Sequence, residues 1–119
     1  MSRYIDVYVL PVKRDKIDDY RKFAEASGKI WRQHGALEVV EVIAEDVKPG
    51  THTSFPQSVK LEADEVVVVS WIAFRSREDR DRINPLVMKD PLFAEMGPDL
   101  VPVDGKRMFW GGFKSLVEL

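Results

Sequence analysis

The chain has 119 residues, 45% of them hydrophobic and 32% charged, with a formal net charge of -2 and no cysteine. That length holds one domain around one core, and the composition is globular, not disordered. Without cysteine there is no disulfide, no thiolate metal site and no thiol nucleophile, and the slight acidity argues against broad nucleic-acid binding, which feeds on a basic field.

The opening segment, MSRYIDVYVLPVKRDK, carries a short apolar run broken by Asp6 with no small-residue cleavage site after it, so it does not read as a signal peptide. No apolar stretch nears the roughly 18 residues that suggest a membrane span. The expectation is a cytoplasmic protein with no membrane contact. There is no internal repeat, low-complexity tract or domain linker, so residues 1–119 read as a single domain.

Residues 3–12 alternate, with Tyr4, Asp6, Tyr8 and Leu10 on one side and Ile5, Val7 and Val9 on the other, which predicts a strand covered on both faces and closed by Pro11. Residues 16–34 switch to helical spacing, with Ile17, Tyr20, Ala24, Ser27, Trp31 and His34 on one stripe. Asp15 is the expected cap, Asp18 and Asp19 suit the first turn, and Gly35 is the stop. A second strand follows at 36–44, with Leu37, Val39, Glu41 and Ile43 on one face. The stretch 45–57 reads as a loop turning at Pro49-Gly50. Residues 65–74, EVVVVSWIAF, are apolar on both faces, as a central strand should be. Ser76 caps the next helix, which turns Ile83, Leu86 and Val87 inward and REDRDR at 77–82 outward, with a kink or early break at Pro85. Asp90-Pro91 opens a short helix, LFAEM, that ends at Gly97-Pro98. A last strand occupies 106–113.

The order β-α-β-β-α-β predicts an α+β ferredoxin-like domain, an antiparallel sheet with both helices on one side. Helices cover one face, yet the strands are apolar on two. The uncovered face needs a partner, and two such sheets face to face form a dimeric α/β barrel. A homodimer is the expected assembly.

With these elements placed, the chain resembles the YbaA-like bacterial proteins, domain of unknown function 1428. The match is carried by Tyr4-Ile5-Asp6, Gly35-Ala36-Leu37, Glu41, Glu45-Asp46-Val47, Thr53-Ser54-Phe55-Pro56, Val59-Lys60, Ser70-Trp71-Ile72, Arg80-Asp81, Met88, Asp90-Pro91 and Pro102 through Phe113. The resemblance implies the dimeric α/β barrel fold and no established reaction. Val103 and Val69 depart from it where the family usually carries aromatics. The same superfamily includes cofactor-free antibiotic-type monooxygenases, haem-degrading enzymes and lactone isomerases, an analogy of fold only.

Asp6 is the candidate catalytic residue. A carboxylate inside an apolar strand is costly unless paired. In this strand order Asp6 could lie near Arg107 or Ser70. The plainer reading is a buried structural ion pair or hydrogen bond with Arg107; the functional one is a proton acceptor of shifted pKa. Glu41 repeats the pattern in the second strand, either at a solvated rim or lining a cavity. Tyr4, Ser70, Trp71, Arg107 and Trp110 complete the candidate pocket, with core or dimer interface as the plainer use of the aromatics. Gly111-Gly112 allow close approach or a bulge. Lys106 and Arg107 could hold an anion or sit at the surface. His34 and His52 have no metal spacing, and no nucleotide fingerprint, metal set or other cofactor signature is present. The leading functional expectation is a small-molecule pocket protein, of the cofactor-free monooxygenase or isomerase kind or a simple binder, with Asp6, Trp71 and Arg107 close together between sheet and helices. The alternative is a non-catalytic homodimeric module docking a protein or RNA, the latter on Lys106, Arg107, Phe109 and Trp110.

Overall fold

The computed structural model describes residues 3–94 and 103–119. Strand β1 (Tyr4–Lys13) leads through a 3-10 turn at Arg14–Lys16 into helix α1 (Ile17–Gln33). Then come β2 (Glu38–Ile43), a one-turn helix α2 (Phe55–Ser58), β3 (Glu65–Phe74), α3 (Arg77–Met88), a short α4 (Pro91–Ala94) and β4 (Phe109–Lys114). The four strands form one antiparallel sheet in the order β2-β3-β1-β4. This is the ferredoxin-like α+β arrangement expected from the element order.

The alternation of β1 sorts the layers. Asp6 lies opposite Ile72 and Gly112, Tyr8 opposite Ser70 and Trp110, Leu10 opposite Val68. These residues face the helices. Leu10, Val12, Tyr20, Ala24 and Val68 pack together at one end, and Ile30, Ala36, Ile72, Phe74, Ile83 and Val87 at the other. Ile5, Val7, Trp71 and Phe113 take the opposite face. There, Val9, Val59 and Val67 form a smaller cluster under the chain between β2 and β3. Among the described residues nothing else covers the rest of that face. Val42, Phe109 and Phe113 are 42%, 46% and 59% exposed.

Local signals explain most boundaries. Ser76 Oγ accepts the Asp79 amide at 3.1 Å, the cap expected of it. Asp90 Oδ1 accepts the Leu92 amide at 3.0 Å as α4 begins. Gly35 ends α1 with φ of +114°, where a side chain would be strained.

Five expectations are corrected. Asp15 does not cap α1; it lies inside the 3-10 turn, and Lys16 holds the cap position without a side-chain bond. The segment 45–57 is not all loop, because Ser54 caps α2 at the Gln57 amide with Pro56 in its first turn. α3 does not break at Pro85 but runs to Met88, held by Ile83 and Val87, both fully buried. Leu86 points outward and is 38% exposed. Lys106 and Arg107 belong to the turn before β4, whose first strand residue is Phe109. The predicted Gly97-Pro98 stop lies outside the described residues.

Candidate functional site

The sequence-derived candidates separate into four places. Asp6 and Tyr4 meet α3. Ser70 and Glu41 meet α1. Arg107 lies at the far end of the sheet, and Trp71 is on its other face.

Asp6 is fully buried. Its partner is not Arg107 but Arg80, whose Nε lies 3.5 Å from Oδ1. Asn84 Nδ2 donates to Oδ2 at 3.1 Å. Arg80 Nη2 donates to the Tyr4 hydroxyl at 3.0 Å, with the guanidinium 4.9 Å from the centre of the Tyr4 ring. Burial raises the Asp6 carboxyl above its ordinary value, against Asn84 and Arg80, which lower it. Arg80 and Asn84 escaped the sequence reading because 77–82 looks like a solvated face. They nevertheless share a helical stripe with Ile83 and Val87, and that spacing was the available signal.

Arg107 is committed elsewhere. Its Nη1 and Nη2 donate to the two carboxyl oxygens of Glu65 at 2.7 and 2.6 Å, and its Nε donates to Asp104 at 2.9 Å. The opposite end of β1 and β3 from Asp6 holds this cluster, since Glu65 pairs with Lys13 in the sheet register. Trp71 lies opposite Val7 and donates its indole N–H to Glu38 at 3.1 Å. Strand alternation therefore keeps it away from Asp6. Trp110 stacks on Tyr8 at 5.7 Å and 18°. The expected grouping of Asp6, Trp71 and Arg107 is not what the fold makes.

A different set converges under α1. A cavity of 110 Å³ lies between α1 and the sheet, with Tyr8, Tyr20, Trp31, Glu41, Ser70 and Phe93 among its walls. Its apolar walls include an aromatic group, Phe23 and Trp31 each meeting Phe93 edge-on at 6.0 and 5.7 Å. Its polar atoms gather at the β2 end. Tyr20 donates its hydroxyl to Glu41 Oε1 at 2.5 Å, and Ser70, the cross-strand neighbour of Glu41, sits close enough for its hydroxyl to favour the ionised carboxyl. Outside lies an open groove of 1070 Å³ between α1 and the edge strand β2, with Arg21, Lys29 and Arg32 along it. Tyr20, Ala24, Val39 and Glu41 line both spaces, so they form the wall between them.

Glu41 thus has both environments expected for it, an edge-strand rim and a cavity. Part of the residue is open to the groove, yet burial raises its carboxyl above the usual glutamate value, against the Tyr20 and Ser70 hydroxyls, which lower it. Burial likewise pushes the Tyr8 and Tyr20 phenols well up, so both stay protonated donors. A carboxylate of raised pKa can accept a proton, and neutral hydroxyls beside it can donate to an oxyanion that results. Among the described residues no group of three or more His, Cys, Asp or Glu could hold a metal, and no helix is long and apolar enough to cross a membrane.

The chain matches the family model described as "Protein of unknown function (DUF1428)" over residues 3–105. It is 43% identical over 116 residues to the uncharacterized protein YbaA of Escherichia coli K12, covering 98% of each chain, and equally to that of Shigella flexneri. Among solved structures it is similar to a NIPSNAP family protein of unknown function from Agrobacterium tumefaciens (TM-score 0.59, 18% identity, 95% of this chain and 87% of that one). A putative antibiotic biosynthesis monooxygenase from Nitrosomonas europaea (0.56, 10%, 96% and 90%) and a dimeric ferredoxin-like protein from an uncultured marine organism (0.54, 14%, 100% and 98%) are also similar. At such identities these likenesses concern the fold alone. The sequence matches, spread over nearly the whole length, establish that this chain belongs to the DUF1428 family.

Proposed function

We propose that this chain is a cytosolic, homodimeric small-molecule protein. Its ligand is a single-ring, weakly acidic molecule held beneath α1, and Glu41 exchanges a proton with it. The observation that carries the reading is the Tyr20–Glu41 hydrogen bond, 2.5 Å long, in the wall shared by the groove and the inner cavity. A dry cavity of roughly 150 Å³ takes a benzene ring; 110 Å³ that meets a groove suits one ring with its polar substituent at Glu41. In the isomerase form of this chemistry a C–H bond next to a carbonyl breaks. Its electron pair stays on the ligand as an enolate, and the proton joins a Glu41 oxygen and returns to a different carbon. No co-reactant is needed. Once Glu41 has taken the proton, the Tyr20 and Ser70 hydroxyls turn from its carboxyl and donate to the enolate oxygen. Asp6 is not the base in this reading.

Phenol tests the site. Binding raises the melting temperature by mass action. We expect phenol to raise that of the wild type and benzene to do so far less, with the phenol increment lost in Glu41→Gln. No shift of the wild type at millimolar phenol overturns the reading.

The second reading, a homodimeric module without chemistry, rests on the open sheet face bearing Val42, Phe109 and Phe113. Its RNA form has little support, since Phe109 and Trp110 fall on opposite faces of the sheet and Arg107 is held by Glu65 and Asp104.

A further inference from the structure

We infer that Asp6 is a positioning residue, which sets one wall of the ligand cavity through a hydrogen-bond relay of fixed polarity, Asp6–Asn84–Trp31. The inference rests on the reading of that cavity as a ligand site. Trp31 lines the cavity. Its indole Nε1 donates to Asn84 Oδ1 at 2.9 Å, and Asn84 Nδ2 donates to Asp6 Oδ2 at 3.1 Å. An indole only donates and an ionised carboxylate only accepts, whereas an amide does both. Asn84 therefore fits in one orientation, with its NH₂ toward Asp6 and its oxygen toward Trp31. Reversing it would set donor against donor at one end and acceptor against acceptor at the other.

The relay spans three elements. Asp6 comes from the central strand β1, Asn84 from α3 and Trp31 from the last turns of α1. It links the sheet to both long helices and stops where the indole meets Phe93 edge-on. Asn84 and Arg80 favour the ionised, accepting form of Asp6, against the burial that opposes it. The Arg80 Nε lies 3.5 Å from Asp6 Oδ1 and 3.4 Å from Asp81 Oδ1, and among the described residues neither the Nε nor Asp6 Oδ1 makes a hydrogen bond. The attraction there is one of charge, and the directional bond of Asp6 goes to Asn84. The buried carboxylate is thus aimed along the relay and not at the cavity, which has no wall from Asp6.

The test reads the Trp31 indole N–H by proton–nitrogen NMR, assigned with Trp31→Phe, and its exchange with deuterium. Asp6→Leu removes the acceptor without touching Trp31 or Asn84. Exchange at Trp31 should quicken at least tenfold and the affinity for phenol, the probe, should fall about fivefold. The Trp71 indole, bonded to Glu38 on the other face, should stay within twofold, separating a local effect from general loosening. Asp6→Asn keeps a carbonyl oxygen toward Asn84 and should restore Trp31 protection. A folded Asp6→Leu with Trp31 exchange within twofold of wild type overturns the inference. If Asp6→Leu does not fold, Asp6→Ala, which also removes the acceptor and leaves the Trp31–Asn84 bond in place, is read by the same criteria. Exchange is measured without ligand, so a failure of phenol to bind strikes the proposed function and leaves this result readable.

Discussion

Arg107 grips Glu65 with both terminal nitrogens, at 2.7 and 2.6 Å, and Glu65 is only 3% exposed. A planar guanidinium matched to a carboxylate in this way is the strong form of ion pair. Removing one partner strands the other. Glu65→Gln should lower stability by about 3 kcal/mol at neutral pH. The Arg107 hydrogen bonds hold the Glu65 carboxyl below its unfolded value of 4.5. The stabilisation is therefore present above pH 4.5 and lost as pH falls through the folded pKa. Urea melts at several pH values should show the gap between wild type and variant narrowing below pH 4.5.

Glu41 has the opposite sign. Its folded pKa is raised from 4.5 by burial, so the folded state favours the protonated acid. Wild type should gain stability relative to Glu41→Gln as pH falls from neutral toward 4.5, and lose it as pH rises through the folded pKa. Thermal melts of the two proteins between pH 4.5 and 8 check this. A gap that widens in favour of the wild type toward high pH would contradict it.

Gly112 and Gly111 differ although they are adjacent. A Cβ at Gly112 would run into the Tyr4 hydroxyl and come within 2.7 Å of Arg80 Nη2, whereas at Gly111 the nearest atom is a Phe113 ring carbon at 3.6 Å. Gly112→Ala should cost about 2 kcal/mol, because the half-buried Tyr4 and Arg80 side chains must move to admit the methyl. Gly111→Ala should stay within about 0.5 kcal/mol of wild type. Denaturant unfolding of the pair measures the difference, and Tyr4→Phe should recover part of the Gly112→Ala loss.

The open sheet face tests the assembly. Phe113 is 59% exposed opposite Ile5, and a charge there would oppose burial against a second copy. Light scattering at micromolar concentration should give the mass of two chains for wild type and of one for Phe113→Asp. A wild-type mass of one chain would remove the dimer.

The strands were legible because their signal is local. Four consecutive valines and strict alternation around Asp6 set β3 and β1 nearly to the residue, and the order of elements then placed β1 between β3 and β4. That same alternation put Asp6 and Trp71 on opposite faces, since Trp71 pairs with Val7, so their separation could have been read in advance. The partners of Asp6 were legible only in part. The stripe of Ile83 and Val87 turns Arg80 and Asn84 inward, but Arg80 is one of four arginines between 75 and 82, and its meeting with Asp6 depends on the angle of α3 over the sheet. Glu41 and Tyr20 were each visible, one on the inward face of a strand and one on a helical stripe. Their meeting depends on how far α1 stands from β2, which no residue pattern states.

Strand β1 has its two neighbours far along the chain. One edge is completed by β3, at 65–74, and the other only by β4, where Lys114 comes to lie beside Tyr4. Most of the contacts that define this sheet are therefore closed across long stretches of sequence, and such closures slow folding because chain entropy is lost before any contact rewards it. During synthesis β1 emerges early and waits with an unpaired, β-branched edge until residues beyond 109 follow. That interval, more than any weakness of the finished fold, is when this protein is most open to pairing with the wrong strand.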